Sequence, residues 1–383
     1  MLYDAGAIRA IGSAIAKVLI DRNLMGVAVQ PLSEQIPSSG ENAGADLRIG
    51  TELTLVVTVG RVEEIRTIAR GERIDEVEGE NHPVHEHIAT GSPLVASNGE
   101  GTEGDLLEKK ELNEYLYRIS RHPGRDVEAS VAASSSTGDV AVDFIVSETK
   151  PWMGWFQYGN TGTKAEGYQR AHFGFFHSQL TDNDDILSLQ YITSNFEDSN
   201  TVLGRYEAPF GSEDRLRWGI NGSWSQYFSD QFGVTVVSDA FSGSSWSTAG
   251  ELRWNAYQDG PLFIDLVGGV RLQHLRVTNN LLFNLEEEGS FVIPYGMFQA
   301  ERAGDWSNVQ LTIGLEGNTV SHDALTMARF GAAMNRPDLA DRWARLNWAG
   351  SLSFFLEPLL NYASWNDPST PESSTLAHEI LIG

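Results

Sequence analysis

From residue 151 onward, apolar and polar residues alternate along the chain in unusually long runs. In the stretch RLRWGINGSWSQYF (residues 215–228), one set of alternate positions carries leucine, tryptophan, isoleucine and phenylalanine, and the other carries arginine, asparagine, serine and glycine. Successive side chains of a β-strand point to opposite faces. The stretch therefore predicts a strand with one apolar and one polar face, more than twice as long as a usual globular strand.

The same alternation recurs through the rest of the chain. Runs of this kind occupy residues 168–178, 185–194, 246–258, 262–272, 309–318 and 345–357. The pattern predicts about ten or eleven strands of roughly 10 residues each, which is the length that crosses a lipid bilayer at a tilt. Helical periodicity is nearly absent from this region, so the sequence predicts an all-β domain over residues 152–383.

The composition of the two faces indicates what covers each of them. The polar positions carry charges of both signs together with asparagine, serine and glycine, as in the lumen of a barrel, whereas Trp218, Trp254, Trp348 and Phe354 lie near strand ends, where aromatic girdles meet the membrane surface. This favours a lipid-facing antiparallel barrel over the alternative, a soluble sandwich. The predicted lumen-facing polar residues are Arg170, Arg215, Arg217, Glu251, Arg253, Asp265, Arg271 and Glu316.

The first 151 residues mix helical and strand patterns. Two apolar-patterned helices are predicted at the start of the chain and over 106–120, and the predicted strands cover 26–31, 52–59, 61–71 and a hairpin over 126–148. The order strand, helix, helix, strand, strand indicates a small α+β module in one and a half to two tandem copies. The predicted boundaries are 1–61 for the first copy and 62–151 for the second.

Composition removes several classes of function. The chain has 27 Lys and Arg against 52 Asp and Glu, and its net charge of −25 disfavours a nucleic-acid partner. It contains no cysteine, which excludes disulfides and thiolate metal sites. No run approaches the roughly 18 apolar residues that a transmembrane helix needs.

Two groups of residues could carry chemistry. His82, His85 and His87 have spacings that suit a transition metal, but a solvated loop leading into a helix is the favoured interpretation. Asp184 and Asp185 form a carboxylate pair in a position that predicts a turn, where aspartate is common. The sequence has no phosphate-binding loop, nucleophile elbow or dinucleotide fingerprint. We therefore predict no enzymatic activity, no catalytic residue, no cofactor and no metal.

An ordered set of short motifs resembles a known family. The first motif is V-x-E-x-K-P, at Val146, Glu148, Lys150 and Pro151. It is followed by N-x-G-T at Asn160, Gly162 and Thr163, by L-T-x-x-D-D at Leu180, Thr181, Asp184 and Asp185, and by Y-x-x-P at Tyr206 and Pro209. Together they resemble the outer-membrane transporters of two-partner secretion, of the haemolysin secretion/activation type. That superfamily joins periplasmic POTRA modules to a 16-stranded barrel.

The chain also departs from the family pattern. The family's V-R-G-Y or V-R-G-F tetrapeptide does not occur, and it would follow a segment like STLAHEILIG (residues 374–383). The resemblance therefore implies POTRA-like modules followed by an incomplete barrel, with the first module short of its opening strand and the terminal strands missing.

The resemblance implies a function in protein secretion. The expected protein is an outer-membrane pore that binds an unfolded secreted partner through periplasmic POTRA modules, contacts membrane lipid, and has the machinery that assembles barrels as a further partner. A strand edge can hold an extended client through main-chain hydrogen bonds. The predicted client-binding residues are Arg125, Asp126, Val127, Glu128, Ala129, Ser130 and Val131. Two alternatives stay open: an outer-membrane assembly factor, and a soluble adhesin or carbohydrate-binding sandwich.

Overall fold

The structure of the chain is a computed structural model. It describes residues 5–37, 44–97, 103–134, 139–162, 167–197, 199–211, 213–232, 235–280, 285–304, 306–334, 336, 339–360, 365 and 378–383. The chain divides into two compact units, Met1–Thr149 and Lys150–Gly383.

The first unit begins with a helix and a two-stranded sheet. Helix α1 (Ala5–Ile20) precedes strands β1 (Val27–Pro31) and β2 (Leu55–Val59), which pair antiparallel. All three elements are predicted by the sequence pattern.

The second part of this unit is a three-stranded sheet with helices. Its elements are β3 (Val62–Gly71), α2 (Glu86–Thr90), α3 (Lys109–Ile119), β4 (Arg125–Ala133) and β5 (Val140–Glu148). The sheet order is β3-β5-β4, with β3 parallel and β4 antiparallel to the central strand β5. The order strand, helix, helix, strand, strand is the one the sequence predicts. The predicted hairpin turn at residues 135–138 lies outside the described residues.

One core holds this sheet and its helices together. Val142, Phe144 and Val146 of β5 are fully buried, and they pack with Leu112 and Tyr115 of α3. Every second residue of β5 faces this core, and the residues of α3 that recur at helical spacing face it from the other side. The Tyr115 hydroxyl donates a hydrogen bond to the Ile88 carbonyl, which satisfies the one polar group that the ring brings into the core.

The second unit is dominated by one antiparallel sheet of 11 strands. In chain order they are β6 (Trp152–Gly159), β7 (Arg170–His177), β8 (Ile186–Ser194), β9 (Ser199–Phe210), β10 (Glu213–Phe232), β11 (Thr235–Asp259), β12 (Leu262–Asn279), β13 (Leu285–Ala303), β14 (Ser307–Gly317), β15 (Ala344–Phe355) and β16 (Glu379–Ile382). Each strand pairs with the next one along the chain. The strand number agrees with the sequence prediction.

Two features of this unit correct the sequence analysis. The four central strands β10 to β13 are 18 to 25 residues long, not roughly 10. Two helices, α4 (Ala324–Ala333) and α5 (Glu357–Leu360), lie in a region for which the pattern predicts almost no helix. Asp323 caps the N-terminus of α4, and its carboxylate accepts hydrogen bonds from the Leu325 and Thr326 backbone N–H groups.

Among the described residues, no helix combines the length and the apolar character needed to span a membrane.

Candidate functional site

The 11-stranded sheet has an exposed apolar face. Leu252 and Trp254 of β11 are about half exposed, as is Ile220 of β10, and Trp348 of β15 is 78% exposed. Within the described residues of this unit, no second sheet packs on these side chains. A soluble protein rarely leaves so large a continuous apolar surface uncovered.

The opposite face is polar, and its charged side chains are buried. Glu207, Glu251, Asp265 and Glu316 are each less than 9% exposed. The distribution is thus the reverse of that in a soluble domain, where charged groups are almost never buried and large apolar groups usually are. Such a sheet requires an apolar medium on one side and a polar space on the other.

A cluster of arginine and glutamate side chains occupies the middle of the polar face. The strand register places Arg217 directly beside Arg253, a repulsive pair on its own. Glu207 compensates: its carboxylate lies 2.7 Å from Arg217 Nε, 2.8 Å from an Arg205 guanidinium nitrogen and 3.8 Å from Arg253. Glu251 accepts a second bond from Arg205. This is a network that spans strands β9 to β11.

Glu251 also connects this network to β13. The Tyr295 hydroxyl donates to Glu251 Oε2 at 2.8 Å. Tyr295 in turn lies beside Glu316 in the register of β13 and β14.

A second cluster is centred on Glu316. The Glu316 carboxylate accepts hydrogen bonds from Arg271 of β12, at 2.7 Å, and from Arg345 of β15. A cavity of about 370 Å³ lies between the two clusters, with Glu251, Arg271, Glu316 and Arg345 among its lining residues. Within the described part of the chain, the Nε groups of Arg253 and Arg271 are buried without an acceptor. The carboxylates of the polar face therefore do not satisfy every guanidinium donor on it.

The structure places the predicted lumen residues as follows. The strand register shows that seven of the eight project from the polar face: Arg170, Arg217, Glu251, Arg253, Asp265, Arg271 and Glu316. Asp265 accepts a hydrogen bond from Asn255 at 2.8 Å. Arg215 is the exception: it is exposed and lies in an irregular stretch between Glu213 and Arg217, just before pairing with β11 begins.

The apolar face has a defined height. On β12 its apolar positions run from Leu262 to Leu272. Ten residue steps of about 3.4 Å give about 34 Å along the strand, or about 26 Å at a tilt of about 40°. This agrees with the apolar band of about 25 Å found on outer-membrane barrels.

Beyond Leu272 the outward-facing side chains become polar. His274 lies 3.0 Å from the Ser290 hydroxyl, and Arg276 donates to Glu288 at 3.0 Å. The extra length of β12 and β13 is therefore a ribbon that continues past the apolar band.

In the first unit, the predicted client-binding residues form most of strand β4, which is an edge strand. Arg125 and Val127 are buried, Ala129 and Val131 pack partly against the core, and Asp126, Glu128 and Ser130 are exposed.

The Val127 N–H donates to the Ser120 hydroxyl at 3.1 Å, so it points away from β5. By strand alternation the N–H groups of Ala129 and Val131 point the same way, toward the open edge. Main-chain donors at this edge are thus available in the second half of the predicted segment.

A buried ion cluster fixes the start of β4. Glu148, at the end of β5, is 5% exposed and accepts hydrogen bonds from Arg125 at 2.8 Å, Arg73 at 2.7 Å and His85 at 3.0 Å. Burial alone would raise the pKa of Glu148, but the His85 hydrogen bond and the charges of Arg125 and Arg73 hold it well below its usual range. Gly71, at φ +96°, permits the close approach of the chain to the Glu148 carbonyl, which a Cβ would block.

The His85 position corrects the sequence analysis. A solvated loop was expected for His82, His85 and His87, but the His85 ring is 1% exposed and bound to Glu148. Sequence reasoning missed this cluster because Arg73 and His85 lie 75 and 63 residues from Glu148 along the chain. The only signal was the V-x-E-x-K-P motif that contains Glu148.

The sequence profile of the haemolysin secretion/activation proteins ShlB/FhaC/HecB matches residues 138–280, which run from β5 through β12. The predicted resemblance to two-partner secretion transporters is confirmed. No curated protein sequence matches the chain.

The comparison with CdiB from Escherichia coli shows a shared fold. CdiB from Escherichia coli matches with a TM-score of 0.55 at 14% identity, over 92% of this chain and 59% of CdiB. CdiB from Acinetobacter baumannii matches with a TM-score of 0.47 at 15% identity, over 92% of this chain and 57% of its own. BamA from Haemophilus ducreyi lacking POTRA domains 1–3 matches with a TM-score of 0.44 at 14% identity, over 93% and 62%. The chain thus spans 59% of the length of the E. coli protein.

Proposed function

We propose that the chain forms part of an outer-membrane secretion pore, in which the first unit binds an unfolded partner protein in the periplasm and the polar face of the second unit guides it across the membrane. The inverted burial of the 11-stranded sheet carries this proposal. Half-exposed Leu252 and Trp254 need a lipid environment, and buried Glu207 and Glu251 on the other face need the polar surroundings of a lumen.

Recognition in the first unit depends on the open edge of β4. An extended client adds a strand beside Ala129 and Val131 and receives their N–H groups, whatever its own side chains. The exposed carboxylates of Asp126 and Glu128 flank this edge and favour clients that carry Lys or Arg. We further propose that residues 1–61 and 62–151 are two POTRA-like modules.

Conduction depends on the polar face of the second unit. Its guanidinium and carboxylate groups already pair with one another through Glu207 and Glu316, so they offer weak, exchangeable contacts to a passing chain. Folding of the client outside the cell supplies the driving force in this scheme.

The proposal is tested by producing the chain in Gram-negative cells and separating the membranes. Recovery with the outer membrane, resistance to carbonate extraction and heat-modifiable migration on gels are expected. A chain that stays soluble without detergent would overturn the proposal and favour the sandwich alternative.

A further inference from the structure

Helix α4 lies on the polar face of the 11-stranded sheet. We call residues 318–334, which leave the end of β14 and include α4, the α4 segment. Phe330 is 2% exposed and Ala333 is fully buried, and both pack against Val277, Phe291 and Ile293 of β12 and β13. The rings of Phe330 and Phe291 are 6.2 Å apart.

A few hydrogen bonds fasten the segment at its two ends. At the start, the Thr319 N–H donates to the Val292 carbonyl at 3.0 Å. At the far end, the Asn279 side-chain amide donates to the Ala333 carbonyl at 3.2 Å. Helix α4 itself joins the sheet by side-chain packing and by the ion pair of Arg329 with Glu287 at 3.8 Å, without the continuous ladder of backbone bonds that connects neighbouring strands.

Helix α4 lies next to the second charged cluster, at the end of the strands past the apolar band. Phe291 pairs with Gln273, so Phe291 and Val277 both lie past Leu272, where the apolar band ends. A cavity of about 580 Å³ separates α4 from Arg271 and Arg345 of the second charged cluster. A polypeptide that follows the charged surface toward this end of the strands therefore meets α4.

We propose that the α4 segment is a hinged plug, which lies on the polar face at one mouth of the pore and swings away as a whole while a client passes. This inference rests on the proposed function. Local opening of a few side-chain contacts costs less free energy than separating paired strands, so the plug opens while the sheet stays folded.

The absence of cysteine allows a direct test with single-cysteine variants of the full chain in phospholipid vesicles. Three sites report different events: Ala332→Cys is exposed on α4, Ala333→Cys is buried beneath α4, and Val267→Cys is buried within the sheet. With a water-soluble maleimide, we expect A332C to react fastest, A333C at an intermediate rate, and V267C only as the whole sheet unfolds.

A second substitution tests whether the Phe330 side chain holds the plug closed. Phe330→Ala should raise the A333C rate at least about tenfold, because a buried ring that holds the closed state is lost, and should leave the A332C and V267C rates unchanged. An A333C rate equal to that of V267C, with no response to Phe330→Ala, would overturn the plug and make α4 a permanent part of the sheet's packing.

A fourth site separates failure of the plug from failure of the pore. Leu252→Cys lies in the middle of the apolar face. If this face contacts lipid, L252C stays protected from the water-soluble reagent whatever α4 does. If L252C reacts as fast as A332C, the membrane assignment itself is wrong, and the plug is overturned with it.

Discussion

Placing an arginine in the middle of the apolar face tests whether lipid covers it. Leu252 is the suitable site because it pairs with Gly268, midway between Ile264 and Leu272 on β12, and its side chain is 52% exposed. A charged residue at the bilayer midplane of a barrel costs about 2–4 kcal/mol, and one near the interface costs about 0–1 kcal/mol. Ser290, just beyond the apolar band and opposite His274, provides the matched control.

The expected cost of Leu252→Arg follows from this position. We expect the substitution to lower the free energy of unfolding by about 2–4 kcal/mol in phospholipid vesicles, and Ser290→Arg to lower it by about 0–1 kcal/mol. The measurement is denaturant-induced unfolding from vesicles, followed by tryptophan fluorescence.

Two results would refute the reasoning. If both variants unfold within about 0.5 kcal/mol of the parent, both sites are ordinary water-exposed positions. If both are destabilised strongly and equally, a packed protein layer covers the whole face, including its polar end.

Three further predictions follow from the two units. Glu207→Gln leaves the surrounding arginines uncompensated and should lower the free energy of unfolding by about 3–5 kcal/mol. The control Glu288→Gln, in an exposed ion pair, should lower it by about 0–1 kcal/mol. Denaturant-induced unfolding from vesicles measures both variants, and equal losses would contradict a buried network. Because folding lowers the pKa of Glu148, its contribution to the stability of the first unit should be fully present above the ordinary glutamate pKa of about 4.3 and should be lost as pH falls further. Hydrogen exchange of the full chain across that range should show this loss, and Glu148→Gln should have a lower stability at neutral pH with a weaker acid dependence. Ala129→Pro removes an outward N–H from β4 and should weaken binding of an unfolded model client, reduced and alkylated α-lactalbumin, roughly tenfold. The control Glu128→Ala should weaken this binding much less. Equal effects would mean that side chains, not the strand edge, bind the client.

The sheet was predictable from the sequence because each strand carries its own signal. Alternation of apolar and polar residues is local, so β7, β8 and β12 follow from a few neighbouring positions each. The lengths of β12 and β13 were not predictable in this way. Past Leu272 the outward positions are polar, and the alternation that marks the strand disappears although the pairing continues.

Helix α4 and the Glu148 cluster show why the remainder could not be predicted. Asp323 followed by ALTMARFGAA is a recognisable helix start, but nothing local indicates that Phe330 packs on Phe291 from β13. Likewise, Arg73, His85 and Glu148 meet only because β3 and β5 are neighbours in the sheet. Contacts between distant segments depend on topology, which a single sequence does not specify.

A nitroxide scan of β11 tests most directly that hydrocarbon contacts the apolar face. Single cysteines at consecutive positions of the cysteine-free chain are spin-labelled in vesicles, and collisions with oxygen and with a water-soluble nickel complex are measured. Oxygen maxima are expected on the apolar face, at Thr248, Gly250, Leu252 and Trp254, and nickel maxima on the polar face, at Ser247, Ala249, Glu251 and Arg253. Equal access of both reagents to the apolar face, or immobile labels there that neither reagent reaches, would contradict the account.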